Sequence, residues 1–93
     1  MISENQINLI KSITGRHNPS LVGIFGSYSR NEQKPESDLD IIIDFQTTID
    51  LLNLIGIEQE LSEKLGVKVD LITLKSINPK LLGYIQKDLI RIV

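Results

Sequence analysis

From position 26 to position 40 the chain reads Gly-Ser-Tyr-Ser-Arg-Asn-Glu-Gln-Lys-Pro-Glu-Ser-Asp-Leu-Asp, a polar stretch between the apolar runs 21–25 and 41–43. No other stretch restricts the fold as much. Ten residues separate Ser27 from Asp38, and a single leucine separates Asp38 from Asp40. Alternate side chains of an extended strand share a face, so the two carboxylates point the same way with Cα atoms ~6.6 Å apart. Asp is among the poorest strand formers, and like charges on one strand face repel unless a cation compensates them. Carboxylates so placed can tilt inward to bridge two divalent cations, which in two-metal phosphoryl-transfer sites lie ~3.5–4 Å apart. The stretch reads as a phosphate cradle facing a metal site.

The bulk properties narrow the alternatives. Ninety-three residues suit one small domain spanning 1–93, in which folding buries only a little more than ~60% of the unfolded surface. A net charge of −2 and a pI near 5.3, with lysines and arginines scattered, argue against a protein that binds nucleic acid by neutralising many phosphates. Without cysteine there is neither a disulfide framework nor a thiolate site, and one histidine cannot build a His-rich zinc site. Any metal must therefore be held by oxygen. No leader-like segment and no apolar run of ~18 residues is present, so a soluble, cytoplasmic protein is expected.

The flanking segments alternate between helical and extended patterns. Ser3 and Gln6 have capping-box spacing ahead of Ile7, Leu9, Ile10 and Ile13, which predicts a helix over roughly 3–14, ended by Gly15. A turn at 16–19 leads into a short buried strand over 21–25. Residues 27–31 have room for one helical turn before Pro35 breaks regular structure. Leu39, Ile41, Ile43 and Phe45 alternate with Asp38, Asp40, Ile42 and Asp44, giving a strand with one core face and one largely acidic face. Thr47 or Thr48 can cap a second helix with Leu51, Leu54, Ile55, Leu61 and Leu65 inward and Glu58, Glu60 and Glu63 in water, ending at Gly66. Alternation resumes over 67–74 and places Asp70 mid-strand. Asn78-Pro79 opens a last helix that leads to a short strand over 90–93. Helices alternating with covered strands make a two-layer α/β domain. Periodicity does not say which strands run parallel.

Each candidate residue also has a plain structural explanation. Gly26 and Ser27 after a strand commonly form only a turn; as a site, glycine lets backbone N–H groups approach a triphosphate and serine adds a hydroxyl. Arg30 alone is an ordinary surface charge, yet one helical turn from the cradle it can reach a terminal phosphate. Asp38 alone is a turn residue. Asp70 can be explained by an ion pair with Lys68 or another lysine, or it can serve as a third metal ligand or a general base toward an attacking hydroxyl. Asp44, at a strand end, is expected to be exposed. Tyr28 and Tyr84 suit packing or a rim.

Taken together, Gly26-Ser27, ten residues, Asp38-x-Asp40 and a later Asp70 in an apolar strand resemble the nucleotidyltransferase superfamily that includes DNA polymerase β, and most closely its minimal nucleotidyltransferases. The likeness runs from Leu21 to the last strand. It implies a mixed sheet with helices on one side, ATP as substrate, Mg²⁺ (two ions) as cofactor and transfer of AMP to an acceptor hydroxyl. By that likeness Gly26, Ser27 and Arg30 would bind the nucleotide, Asp38 and Asp40 the metals, and Asp70 would complete the metal and catalytic set. Relatives often carry glycine directly after the arginine, where this chain has Asn31, a residue that tolerates left-handed backbone. Minimal nucleotidyltransferases typically act as antitoxins of HEPN-type ribonuclease toxins, and some add AMP to a toxin tyrosine. The resemblance thus implies a protein adenylyltransferase with a HEPN-type toxin as partner; a small domain with one open cleft suits a homodimer and a hetero-oligomer equally. A non-catalytic antitoxin that masks its toxin sterically is the competing expectation. Transfer to tRNA or a nucleic-acid primer is disfavoured by acidity and size.

Overall fold

In the computed structural model, which describes residues 2–93, Ser3 caps the first helix, α1 (Glu4–Gly15), from both directions. Gln6 N–H donates to the Ser3 hydroxyl at 3.1 Å, while Ser3 N–H donates to Gln6 Oε1 at 2.8 Å. Two of the four orphan donors of a helix start are thereby satisfied. Strand β1 (Pro19–Phe25) follows, then a 3₁₀ turn at Gly26–Tyr28, strand β2 (Leu39–Phe45), helix α2 (Leu51–Leu65) and strand β3 (Val69–Thr73). A second 3₁₀ turn at Leu74–Ser76 leads to helix α3 (Pro79–Asp88) and the short strand β4 (Ile90–Arg91). Asn78 Oδ1 accepts from Lys80 N–H at 2.9 Å with Pro79 opening α3, and Gly66 ends α2 in the left-handed conformation at φ 71°, both as expected.

The strands form one mixed sheet in the order β3-β2-β1-β4. β1 runs antiparallel to β2 and β4, and β2 runs parallel to β3. Its parallel pair is joined through α2, the crossover that parallel neighbours require. One face carries Val22 and Ile24 of β1, Leu39, Ile41, Ile43 and Phe45 of β2, and Val69 and Leu71 of β3, all buried together with Ile10 and Ile13 of α1 and Ile57 and Leu61 of α2. Fully burying such a side chain contributes about 1.5–3 kcal/mol, so this layer supplies most of the driving force. On the other face the register sets Phe25, Asp40 and Asp70 in one row across the sheet, and Gly23, Ile42 and Ile72 in the next. Leu89 packs onto Gly23 on that second face, leaving no room for a Cβ there.

Three expectations about α2 are corrected. Its cap is Asp50, which accepts from Asn53 N–H at 2.8 Å and from the Asn53 side chain at 3.0 Å, rather than Thr47 or Thr48; a carboxylate also gains from the helix dipole, which a hydroxyl does not. The inward stripe is Leu54, Ile57, Leu61 and Leu65, while Leu51 and Ile55 are 69% and 40% exposed. Glu58 does not simply face water: its Oε2 accepts from Leu71 N–H at 2.8 Å, and the Ser62 hydroxyl accepts from Val69 N–H at 3.0 Å. These two side chains satisfy edge donors of β3 that would otherwise template pairing with another chain. Among the described residues, no helix is long and apolar enough to cross a membrane.

Candidate active site

The turn after β1 is wound around one carbonyl. Gly26 adopts φ 77°, and its C=O accepts from Ser29 N–H at 3.1 Å, Arg30 N–H at 3.3 Å and the Ser29 hydroxyl at 2.8 Å. Glu32 N–H donates to the Ser27 carbonyl at 2.9 Å, and Asn31 N–H to that of Tyr28 at 3.3 Å. Asn31 sits at φ 58°, the left-handed backbone that its short polar side chain tolerates. Tyr28 is buried in the main core and pins the turn from beneath. The loop is thus rigidly tied down although it is polar.

Gly26 is required for two independent reasons. Its positive φ disfavours any Cβ, and a Cβ built there would overlap Asp40 Oδ2. The backbone at the end of β1 therefore lies directly against the Asp40 carboxylate, a closeness no other residue type permits.

Asp40 and Asp70 are register partners in adjacent parallel strands, so both project from the face opposite the α1–α2 core. Burial pushes the Asp40 carboxyl above its ordinary range, the charges of Asp70 and then Asp38 push it further, and Arg30 pulls it back down. Four groups singled out by sequence thus act on one another electrostatically. Asp38, just before β2, is half-exposed and lies 3.7 Å from Lys68 Nζ. The ion pair expected for Asp70 by its plain structural explanation is therefore made by Asp38 instead; Asp70 is exposed and has no ion pair among the described residues. Asp44 is partly buried, at 3.3 Å from the Ser20 hydroxyl, and sits four residues along β2 from Asp40, ~13 Å away, outside the cluster.

Arg30 is more constrained than a surface arginine needs to be. Its Nη1 donates to Asp88 Oδ2 at 2.6 Å and its Nε to Glu32 Oε2 at 3.3 Å. These partners, Asp88 first and then Glu32, raise the guanidinium pKa above its ordinary value. Sequence reasoning missed both. For Asp88 a signal existed: an acid in the last turn of a helix opposes the dipole, and such a position invites a search for a compensating cation.

The donors present suit a hard cation. They are all carboxylate oxygens, and one of them is held in a state that a positive charge would relieve. Among the described residues, no three acidic or histidine side chains draw together closely enough to enclose an ion by themselves. An ion held here would need further oxygens from a ligand or from water to fill its shell. A concavity of about 140 Å³ beside Phe45, Ile49 and Lys75 lies at the other end of β2 and contains none of Asp38, Asp40 and Asp70.

Comparison with known proteins gives a consistent picture. Residues 8–93 match the family described as "Polymerase beta, Nucleotidyltransferase". A protein of Methanocaldococcus jannaschii, provisionally named a protein adenylyltransferase, is 49% identical over 92 residues, covering 89% of this chain and 94% of that protein. The protein adenylyltransferase MntA of Thermococcus cleftensis is 40% identical over 67 residues, covering 72% of this chain and 68% of that one. Among solved structures, a toxin-antitoxin with AMP-PNP superimposes with a TM-score of 0.84 at 26% identity, over 99% of this chain and 73% of that chain.

Proposed function

This chain belongs to the polymerase β nucleotidyltransferase family, and from that premise we propose that it transfers AMP from ATP to a hydroxyl, with a tyrosine of a HEPN-type toxin as acceptor, and so acts as an antitoxin. One observation carries this reading: Asp40 and Asp70 share a row of the open sheet face, and Asp40 meets the backbone of Gly26. The relatives named adenylyltransferases and the toxin-antitoxin neighbour with an ATP analogue support the same direction.

In this mechanism Gly26 and Ser27 present backbone and hydroxyl donors to the triphosphate, and Arg30 adds a guanidinium toward its terminal oxygens. Asp38 and Asp40, with Asp70 alongside Asp40, would offer carboxylate oxygens to Mg²⁺, phosphate oxygens and water completing the shell, and the bound ion would supply charge neutralisation for the triphosphate. The acceptor oxygen forms a bond to the α-phosphorus as the bridging bond to the β-phosphate breaks, and pyrophosphate departs. Asp70, exposed and without an ion pair among the described residues, takes the proton of the attacking hydroxyl. Little covalent help from the protein is needed, because such transfers are catalysed mainly by positioning and charge stabilisation.

The decisive experiment incubates the protein with ATP, Mg²⁺ and the product of its neighbouring gene, then weighs the partner intact. Added AMP is expected. Its absence from a complex that demonstrably forms would refute the reading.

A second reading, a binding module that neutralises its toxin by masking it, draws on a separate observation. Leu52 of α2 is 82% exposed, and Leu81 and Tyr84 of α3 are 54% and 70% exposed, apolar side chains that a partner would cover. A triple variant lacking Asp38, Asp40 and Asp70 decides between the two. Full neutralisation by that variant at equal dose favours masking, and lost neutralisation favours catalysis.

A further inference from the structure

Asp88 breaks a local rule. It is the last residue of α3, where the free carbonyls of the helix end carry partial negative charge and a carboxylate is disfavoured. A rule broken at one position with an evident compensation nearby points to use. The compensation is Arg30, whose Nη1 lies 2.6 Å from Asp88 Oδ2 across 58 positions of sequence.

The carboxylate is also unusually well anchored for a helix end. Leu89 packs onto Gly23, with its Cδ1 2.5 Å from where a Cβ would stand, and Ile90 and Arg91 pair with Ile24 and Gly23 as strand β4. The backbone on the C-terminal side of Asp88 is thus fixed to the strand that delivers the chain to Gly26. Both ends of the Arg30–Asp88 contact refer to β1: Arg30 through the turn wound on the Gly26 carbonyl, Asp88 through Leu89 and β4.

With Nη1 on Asp88 and Nε near Glu32, the guanidinium has its Nη2 without a partner among the described residues. An arginine fixed on two of its three nitrogens has lost most of its rotamer freedom before any ligand arrives, so contact with a ligand costs less entropy.

We propose that Asp88 is a positioning residue for nucleotide transfer: it fixes the Arg30 guanidinium at the turn wound on the Gly26 carbonyl so that Nη2 is ready for an oxygen of a nucleoside triphosphate. Asp88 touches neither substrate nor metal in this arrangement and acts only through Arg30. The inference rests on the nucleotide-transfer reading given above, and its test is a binding measurement that needs no turnover.

Calorimetry with the non-hydrolysable analogue AMP-PNP and Mg²⁺ is run on the intact chain, on Asp88→Asn, Asp88→Glu and Arg30→Ala, and on the Arg30→Ala/Asp88→Asn pair. Asp88→Asn is expected to weaken binding about tenfold and to raise the KM for ATP alike with a smaller change in kcat. Asp88→Glu recovers part of that loss. In the Arg30→Ala background Asp88→Asn adds nothing, since two residues acting through one contact are not additive. Asp88→Asn, at a half-buried position and with volume unchanged, is also expected to keep its thermal midpoint within about 2–4 °C of the parent. Unchanged AMP-PNP affinity in Asp88→Asn overturns the proposal, and so does an equal loss with and without Arg30. If the parent chain binds no AMP-PNP, the nucleotide reading itself fails and takes this inference with it.

Discussion

Asp40 and Asp70 stand opposite each other as Cα partners across the β2–β3 ladder, two carboxylates on neighbouring parallel strands facing the same way. Like charges directly opposite in a sheet are destabilising, so the pair opposes folding unless something neutralises it. The consequences can be measured.

In the absence of magnesium, Asp40→Asn should be more stable than the parent chain at neutral pH and inactive in AMP transfer. The folded-state pKa of Asp40 is raised by burial first and by Asp70 and Asp38 next. Between the ordinary value of 3.8 and that raised value, the folded state holds a proton that the unfolded state has released, so stability falls as pH rises through this window. Above the window the penalty is fully present, and Asn removes it. Each ~1 kcal/mol relieved raises the midpoint by about 4–8 °C for a chain of this size. Thermal melts at pH 4 and pH 7 check it; a variant that melts lower than the parent at both pH values would contradict the electrostatics.

Magnesium should raise the melting temperature of the parent chain, and Asp38→Asn/Asp40→Asn should lose that response. A ligand at a hundred times its Kd contributes ~2.7 kcal/mol to the folded state. Scanning calorimetry across a magnesium series reads the effect directly. An equal rise in the double variant would mean the ion binds elsewhere.

Gly26→Ala should abolish transfer and destabilise the fold. The added methyl meets Asp40 Oδ2, and the left-handed backbone costs an L-residue about 1–2 kcal/mol in addition. The measurements are a urea midpoint and an AMP-transfer assay on the same preparation; near-parental values in both would show that the turn can relax and that the contact is unimportant.

Glu58→Ala should cost about 1–3 kcal/mol, since it leaves Leu71 N–H without its acceptor at the outer edge of β3. Chemical denaturation gives the number. Hydrogen exchange at the Leu71 amide should quicken in the variant, and an amide as protected as in the parent would show that another group replaces the carboxylate.

Much of this architecture was legible because its signals are local. Alternation in 38–45 and 67–74 located β2 and β3, Ser3 with Gln6 and Asn78 with Pro79 marked helix starts, and Asn31 kept the left-handed turn that a glycine would otherwise supply. The second helix was less legible because Thr47, Thr48 and Asp50 are all good caps, and only the assembled turn shows that Asp50 reaches Asn53. Its inward stripe was misread at Leu51 and Ile55, since apolar residues on a surface helix obey the same spacing whether or not a sheet lies beneath them. Glu58, assigned to water, and Asp88, passed over, differ in another way: their partners, Leu71 and Arg30, lie 13 and 58 positions away, and no periodicity records a contact of that kind. Parallel pairing of β2 with β3, which makes Asp70 a neighbour of Asp40, was likewise invisible to alternation.

Strand β3 is bordered by β2 on one side and, among the described residues, by the Glu58 and Ser62 side chains in place of a further strand on the other. A sheet edge, even one with Val69 and Leu71 in the core, opens before the centre of the sheet does. Under the proposed mechanism, opening of that edge would carry Asp70 away from Asp40 while β1, β2 and the Gly26 bend stay intact, and transfer would stop in molecules that still look native by helix content. If Asp70 has the role proposed, catalytic competence in this chain would be a finer gauge of its integrity than its spectroscopic signature.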